Sequence, residues 1–142
     1  MNNKLPTQKI TMENIEEIYE YIFAPYVKQL KLSFLEIEEG RVVAKLENSS
    51  DYQFVTGAVS GQVLMSVIDT TMSIAMNTSV KSQRGTLSQN NNFIRPAFGD
   101  YFIIESIVQR FGSSIAIGET KVYSEDNKEK IICHATSSFP LK

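Results

Sequence analysis

The fold is decided by residues 57–78, which read GAVSGQVLMSVIDTTMSIAMNT. This long apolar segment predicts a central helix over residues 59–78, and a helix that is apolar nearly all round must be enclosed on most sides. Asp69 is the only formally charged residue between Asp51 and Lys81. Burying an unpaired carboxylate costs several kcal/mol, so Asp69 is expected to have a partner or a catalytic task.

A second helical pattern lies near the start of the chain. It predicts an amphipathic helix over residues 11–28, with Thr11 as its N-cap and with Pro25 ending or kinking it. Residues 1–10 carry no such pattern and are expected to be loose. The apolar positions of this helix are Ile15, Ile18, Tyr19, Ile22, Phe23 and Tyr26.

The rest of the chain alternates in the manner of strands. A turn at residues 38–41 separates two alternating runs, 30–37 and 42–46, and predicts a hairpin. Later strands are predicted over residues 84–95, 100–111, 114–124 and 129–138. The order αββαββββ with short turns indicates an α+β fold in which an antiparallel, curved sheet wraps around the central helix. Residues 1–142 are expected to form a single domain.

Composition excludes several classes of function. The chain has 142 residues and a formal net charge of −2, which gives no electrostatic argument for nucleic acid or acidic membrane. One cysteine excludes an intrachain disulfide, and with one histidine it leaves no plausible zinc site. Residues 1–11 contain no secretory signal, so a cytoplasmic protein is expected.

The start of the central helix offers a second chemical feature. Small residues at Ser60-Gly61 leave backbone N–H groups open at a helix N-terminus, which favours carbonyl oxygens and anions. An amide cradle and a carboxylate together suit acyl-transfer chemistry. On one helix, however, Gly61 and Asp69 stand roughly 12 Å apart. Two antiparallel copies of the helix would bring Gly61 of one next to Asp69 of the other, so a dimer with two equivalent sites is expected if the two groups work together.

Several spaced signals resemble PaaI-like hotdog-fold thioesterases over about residues 30–138. That family reads G-x-x-H-G-G with an Asp nine residues after the His, and Asp69 follows Ser60 by the same interval. The matching segments are residues 57–62, 67–70, 85–87, 92–97, 99–100, 108–112 and 119–123.

This resemblance implies a hotdog fold and hydrolysis of an acyl-CoA or related thioester, without a cofactor, in a homodimer or a dimer of dimers. Asp69 would be the nucleophile or the general base. If Ser60 aligns with the family's His, the N–H of Gly61 would form the oxyanion hole. Thr86 lies where the family places a hydroxyl residue near the catalytic water. Substrate contacts are expected from Ser60, Gln62, Phe54, Arg84 and Arg95, the two arginines being suited to the phosphates of coenzyme A.

Three departures from the family pattern leave alternatives open. Ser60 replaces the His, Gln62 replaces the second Gly, and Phe54 stands where many relatives carry an Asn. These changes favour a second reading, a non-catalytic acyl-CoA or acyl-lipid binding protein. A hotdog dehydratase or hydratase is a third reading, for which His134 on the last strand is a poor candidate. Asp69 itself has a structural alternative, in which it bonds Ser66, Ser73 or a neighbouring backbone group.

Overall fold

The computed structural model describes residues 9–79, 85–125 and 127–141. Its largest feature is a six-stranded sheet in the order β1-β2-β4-β5-β6-β3, in which all neighbouring strands are antiparallel. The sheet covers one side of a sixteen-residue helix, α3. The expected α+β architecture, a hotdog fold with an additional N-terminal helix, is confirmed. The strands are β1 (Ser33–Glu38), β2 (Arg41–Glu47), β3 (Ser88–Phe93), β4 (Tyr101–Phe111), β5 (Ile115–Ser124) and β6 (Ile131–Pro140).

The core lies between α3 (Gly61–Met76) and the concave face of the sheet. Alternate residues of each strand point toward the helix, as the period of two requires. On β2 these are Val42, Ala44 and Leu46, all fully buried. From the helix side, Val67, Ile68 and Met72 are fully buried as well.

The N-terminal helix differs from the prediction over residues 11–28. It is divided into α1 (Ile15–Ile22) and α2 (Pro25–Lys28), because Pro25 restricts the preceding residue to extended backbone and starts a new turn. Asn14, and not Thr11, is the N-cap residue. The Thr11 hydroxyl instead accepts a hydrogen bond from the Glu13 N–H at 3.3 Å.

Two further boundaries differ from those predicted. The central helix begins at Gly61, because Val59 is held in an isolated β-bridge with Gln53. Residues 1–8 of the segment expected to be loose lie outside the described residues, but Ile10 does not fit that expectation. Ile10 is buried, and its N–H donates to the Asn77 carbonyl oxygen at the end of α3.

Strand β3 occupies one edge of the sheet, beside β6. The chain therefore crosses from the end of α3 to the strand furthest from β1, and this crossing places β3 along an open face of α3. Gln89 and Asn91 of β3 are partly buried, while their neighbours Ser88, Asn90 and Asn92 are exposed. The site residues lie along this junction of α3 and β3.

Candidate active site

Asp69 lies on the face of α3 that the sheet leaves uncovered. Its side chain is partly buried, and its Oδ1 accepts a hydrogen bond from the Thr86 hydroxyl at 2.5 Å. The partner of Asp69 is therefore Thr86, seventeen residues later, and not Ser66 or Ser73. Among the described residues, Asp69 forms no ion pair and Oδ2 has no hydrogen-bond donor.

A cavity of about 480 Å³ opens beside this pair. Polar side chains reach it from both elements, Gln62 and Ser66 from α3 and Gln89 and Asn91 from β3, and Met65 contributes an apolar part of the wall. Polar groups placed in this way can hold water next to a carboxylate. We call this space the Asp69 cavity.

The start of α3 forms the second part of the site. Ser60 is the N-cap, and its Oγ accepts a hydrogen bond from the Val63 N–H at 3.3 Å. Within the described part of the chain, the N–H groups of Gly61 and Gln62 have no acceptor. These are the unsatisfied donors of a helix N-terminus, and they carry its positive end of the dipole.

The surroundings of Gly61 are apolar. Two adjoining cavities, of about 460 and 450 Å³, share Phe54, Gly61 and Phe93 in their walls. Phe54 is 49% exposed, and its side chain has no polar atom that could bond a ligand. We call the two spaces together the helix-start cavities. The smaller one shares Gln62 and Met65 with the Asp69 cavity, so a continuous groove follows α3 from its apolar start to its carboxylate.

The predicted substrate-binding residues are distributed as follows. Ser60, Gln62 and Phe54 all border the helix-start cavities. Arg95 also lines the larger of these, and its Nη1 donates to the Ile131 carbonyl oxygen at 2.7 Å. Arg84 lies outside the described residues.

The remaining titratable candidates lie away from this groove. His134 points to the outer face of the sheet, where its Nε2 is 3.5 Å from Glu119, while Asp69 lies on the helix side. Cys133 is fully buried in the core, and burial raises the pKa of its thiol to about 11. Neither the imidazole nor a thiolate therefore reaches the groove. In residues 9–79, 85–125 and 127–141, no cluster of three His, Cys, Asp or Glu residues could hold a metal ion.

Three residues of β3 that line the groove, Gln89, Asn91 and Phe93, have no role in the prediction from sequence. Phe93 lies within a predicted strand, and nothing in that segment indicates that its ring packs against the start of α3, because this contact depends on the tertiary fold. Gln89 and Asn91 belong to the polar run 89–92, whose alternation does carry a signal: one of every two residues must face the helix. Which of the two sets faces inward depends on the register with β6.

Comparison with known proteins identifies the family of this chain. The family model described as the thioesterase superfamily matches residues 56–131, which include α3, β3 and β4. The chain belongs to the thioesterase superfamily. Thioester hydrolysis is accordingly the general class of reaction that membership of this superfamily supports.

Several relatives of this superfamily member can be named. A protein of Saccharolobus solfataricus named "Putative esterase SSO2140" is 28% identical over 115 residues, which cover 80% of this chain and 81% of that protein. The solved structure of thioesterase HI1161 from Haemophilus influenzae superposes with a TM-score of 0.81 and 18% identity, covering 98% of this chain and 95% of that one. The PaaI protein of the E. coli phenylacetic acid degradation operon gives 0.79 and 18%, over 92% and 91%.

These likenesses confirm the PaaI-like hotdog fold that the sequence predicts. They leave the acyl group and the roles of individual residues to the argument from the site. No helix in the described part of this thioesterase-superfamily chain is long and apolar enough to cross a membrane.

Proposed function

We propose that this protein hydrolyses an acyl-CoA or a related thioester, at two equivalent sites shared between two copies of the chain. The observation that carries the proposal is the Asp69 carboxylate, which lines a cavity with several polar side chains; one of its oxygens accepts from Thr86, and the other has no donor among the described residues. A carboxylate in that position suits a general base, because it can accept a proton from a water held in the same cavity.

The spacing along α3 supports the shared site. The helix is continuous from Gly61 to Met76, so the axial separation of Gly61 and Asp69 is roughly 12 Å within one protomer. A catalytic group acts over about 3–3.5 Å or through one water. The Gly61 N–H and the Asp69 carboxylate of one chain therefore cannot both act on the same carbonyl. Among the described strands, β3 has an outer edge without a partner strand, and such an edge favours pairing with a second copy.

The proposed reaction follows from these groups. The thioester carbonyl oxygen accepts a hydrogen bond from the Gly61 N–H of one protomer. A water oxygen attacks the carbonyl carbon, and its proton passes to Asp69 of the partner. Negative charge on the carbonyl oxygen is stabilised by the Gly61 donor and the helix N-terminus, worth about 3–4 kcal/mol of barrier. The carbon–sulfur bond then breaks, and the thiolate takes up a proton to give a carboxylic acid and a thiol.

The apolar and charged features at the start of α3 suit the two ends of such a substrate. The walls made by Phe54 and Phe93 are apolar and match an acyl group. Arg95, exposed on the rim of the larger helix-start cavity, suits a phosphate of the coenzyme. Arg84 remains a second prediction for that contact. The proposed steps use water, the Asp69 side chain and the Gly61 backbone N–H, with no cofactor.

The decisive variant is Asp69→Asn, which keeps the shape of the side chain and can still accept the Thr86 hydrogen bond. We expect coenzyme A release from acyl-CoA substrates to fall by about 10²–10⁴-fold, the usual contribution of a general base. The unfolding midpoint and the sedimentation coefficient should stay those of the parent. Asp100→Asn, at an exposed turn, is the matched control and should keep full activity. Parent-like turnover by Asp69→Asn would rule out the mechanism.

A non-catalytic binding protein is the second candidate, and the apolar Phe54 at the start of α3 favours it. A panel of short-chain, medium-chain, long-chain and aryl acyl-CoAs separates the two functions when thiol release and calorimetric binding are measured side by side. Hydrolysis of at least one member at enzymatic rates supports the hydrolase. Tight binding of a member with no thiol release, in the parent protein, supports the binder.

A further inference from the structure

We propose that Asn91 is a further catalytic residue, whose carboxamide N–H holds the attacking water beside Asp69. The inference rests on the proposed function and adds a donor to the same site. It is carried by a chain of hydrogen bonds from α3 through Gln89 to Asn91, which fixes which end of the Asn91 amide faces the cavity.

The register of β3 against β6 decides which side chains face the helix. Asn91 lies opposite Ala135 and Gln89 opposite Ser137, and both of these β6 residues are buried on the concave face. Asn90 lies opposite the exposed Thr136. Adjacent asparagines on one strand therefore have different surroundings, one in the Asp69 cavity and one on the outer face of the sheet.

The orientation of the Gln89 amide is set by a backbone carbonyl. Its nitrogen Nε2 lies 3.2 Å from the Met65 carbonyl oxygen and 3.0 Å from Asn91 Oδ1. A carbonyl oxygen only accepts, so the atom of Gln89 that faces Met65 must be the NH₂ group. The two hydrogens of that group supply both bonds. The reverse orientation would set two acceptor oxygens against each other.

The hydrogen bond from Gln89 sets the orientation of the Asn91 amide. Because Gln89 Nε2 only donates, the atom of Asn91 that it meets must be the oxygen Oδ1. The Asn91 amide group Nδ2 is then the other end of the same planar unit, and in the described part of the chain it has no acceptor. Asn91 lines the cavity that also contains Asp69 and Thr86. This residue therefore offers a donor to the cavity while Asp69 offers an acceptor.

A water in this cavity would have complementary partners. It can donate one hydrogen to Asp69 Oδ2, which no described residue bonds, and the other to the Thr86 oxygen, which itself donates to Asp69 Oδ1. One lone pair accepts from Asn91 Nδ2, and the other is left to attack the thioester carbonyl. In this arrangement Asn91 touches the reacting oxygen. Gln89 is a positioning residue, since it acts only through Asn91.

Three variants test the assignment with acyl-CoA hydrolysis as the assay. Asn91→Ala should lower kcat by about 100-fold, the effect of losing one well-placed donor, with KM changed less than about threefold. Gln89→Met keeps the length of the side chain but frees the Asn91 amide to rotate, and kcat should fall by about tenfold. Asn90→Ala, on the other face of the same strand, is the matched control and should retain parent activity.

Asn91→Asp tests whether this side chain lies close enough to the catalytic base to share a water with it. It can still accept the Gln89 hydrogen bond, but it places a second carboxylate near Asp69. Like charges disfavour ionisation of each other, so the acidic limb of the kcat/KM profile should shift to higher pH than in the parent. Asn90→Asp should leave that limb in place.

The outcomes separate the two proposals. The role of Asn91 is wrong if Asn91→Ala matches Asn90→Ala in kcat and Asn91→Asp leaves the acidic limb in place. If Asp69→Asn is inactive in the same assays, the proposed hydrolase activity is still supported. If the parent hydrolyses no thioester of the panel, both proposals fall together. A selective loss of kcat in Asn91→Ala, with a shifted limb in Asn91→Asp, supports the inference.

Discussion

At the scale of single residues, Gly61 matters both for its backbone N–H and for the side chain that it lacks. It has a free backbone N–H at the first position of α3, and it has no side chain where Phe93 packs. A Cβ built at this position would lie 3.2 Å from Phe93 Cζ and 3.3 Å from its Cε1. The ring is 52% exposed and can give by a few tenths of an ångström. The N–H and the missing Cβ can therefore be tested separately.

Gly61→Pro and Gly61→Ala form a matched pair for this purpose. Both add a Cβ against Phe93, but only proline removes the N–H. Proline is favoured at the first position of a helix, and Ser60 already has the extended backbone, φ −66 and ψ 149, that a residue before proline adopts. We expect Gly61→Pro to lower kcat about 10²–10³-fold below that of Gly61→Ala, because it lacks the oxyanion donor.

Circular dichroism and thermal unfolding of the two Gly61 variants should be similar, since both helices begin at the same residue. Equal kcat values for the alanine and proline variants would mean that the Gly61 N–H does not act on the carbonyl. The comparison does not depend on how much the Cβ itself disturbs Phe93.

At the scale of elements, the position of α3 depends on its close approach to β5. Met72 is fully buried and covers Gly118. A Cβ at Gly118 would overlap Met72 Cε, lie 2.5 Å from Met72 Sδ and lie 3.2 Å from the Ile107 carbonyl oxygen. A methyl group here would therefore have to displace the buried end of the Met72 side chain, and the contact between Gly118 and Met72 holds the middle of the helix that carries Asp69 against the sheet.

Gly118→Ala should therefore destabilise the protein by about 1–3 kcal/mol, the usual cost of overpacking a core. In an unstrained strand the same change would stabilise, by reducing the entropy of the unfolded chain, so the sign itself is informative. Urea unfolding measures the effect. Combining it with Met72→Ala should cost less than the sum of the two single changes, because the shorter side chain leaves room for the new methyl group. Additive costs would show that the two positions do not interact.

Much of this element structure follows from local patterns. Residues 57–78 are apolar with helical spacing, and the later strands alternate with a period of two, so their existence is fixed by the sequence of each segment. Pairing is different, because it depends on contacts between distant segments. Nothing within residues 88–93 indicates that β3 pairs with β6 at the edge of the sheet. The sequence predicts a break or a kink at Pro25 but does not show that a second helix begins there, since a proline can either end a helix or begin the next.

The candidate site shows the same difference between features set by local sequence and features set by contacts between distant segments. Asp69 was predictable, because a lone charge in an apolar helix is costly without a partner. The family resemblance placed Thr86 near the catalytic water, but its hydrogen bond to Asp69 was not predicted, since only the tertiary fold brings the two together. The Gln89–Asn91 hydrogen bond was beyond sequence reasoning. It requires the strand register and the Met65 carbonyl, neither of which local composition determines.

At the scale of the whole molecule, each protomer has both halves of the proposed site at opposite ends of one groove. The helix-start cavities hold the donor and the apolar walls, and the Asp69 cavity holds the base. A two-fold axis that sets two α3 helices antiparallel would join the donor end of one groove to the base end of the other. Each dimer would then have two complete sites, and every site would draw on both chains.

Mixing two inactive variants tests this sharing directly. Gly61→Pro lacks the donor and Asp69→Asn lacks the base, so neither homodimer has a complete site. In a mixed dimer, one site combines the intact Gly61 of one chain with the intact Asp69 of the other, and the second site lacks both. When equal amounts are unfolded together and refolded, half of the dimers are mixed, and about a quarter of the parent activity should return. Sedimentation of the mixture should match that of the parent. If the refolded mixture shows only the summed activity of the two variants, although tagged copies prove that mixed dimers form, then donor and base do not meet across the interface.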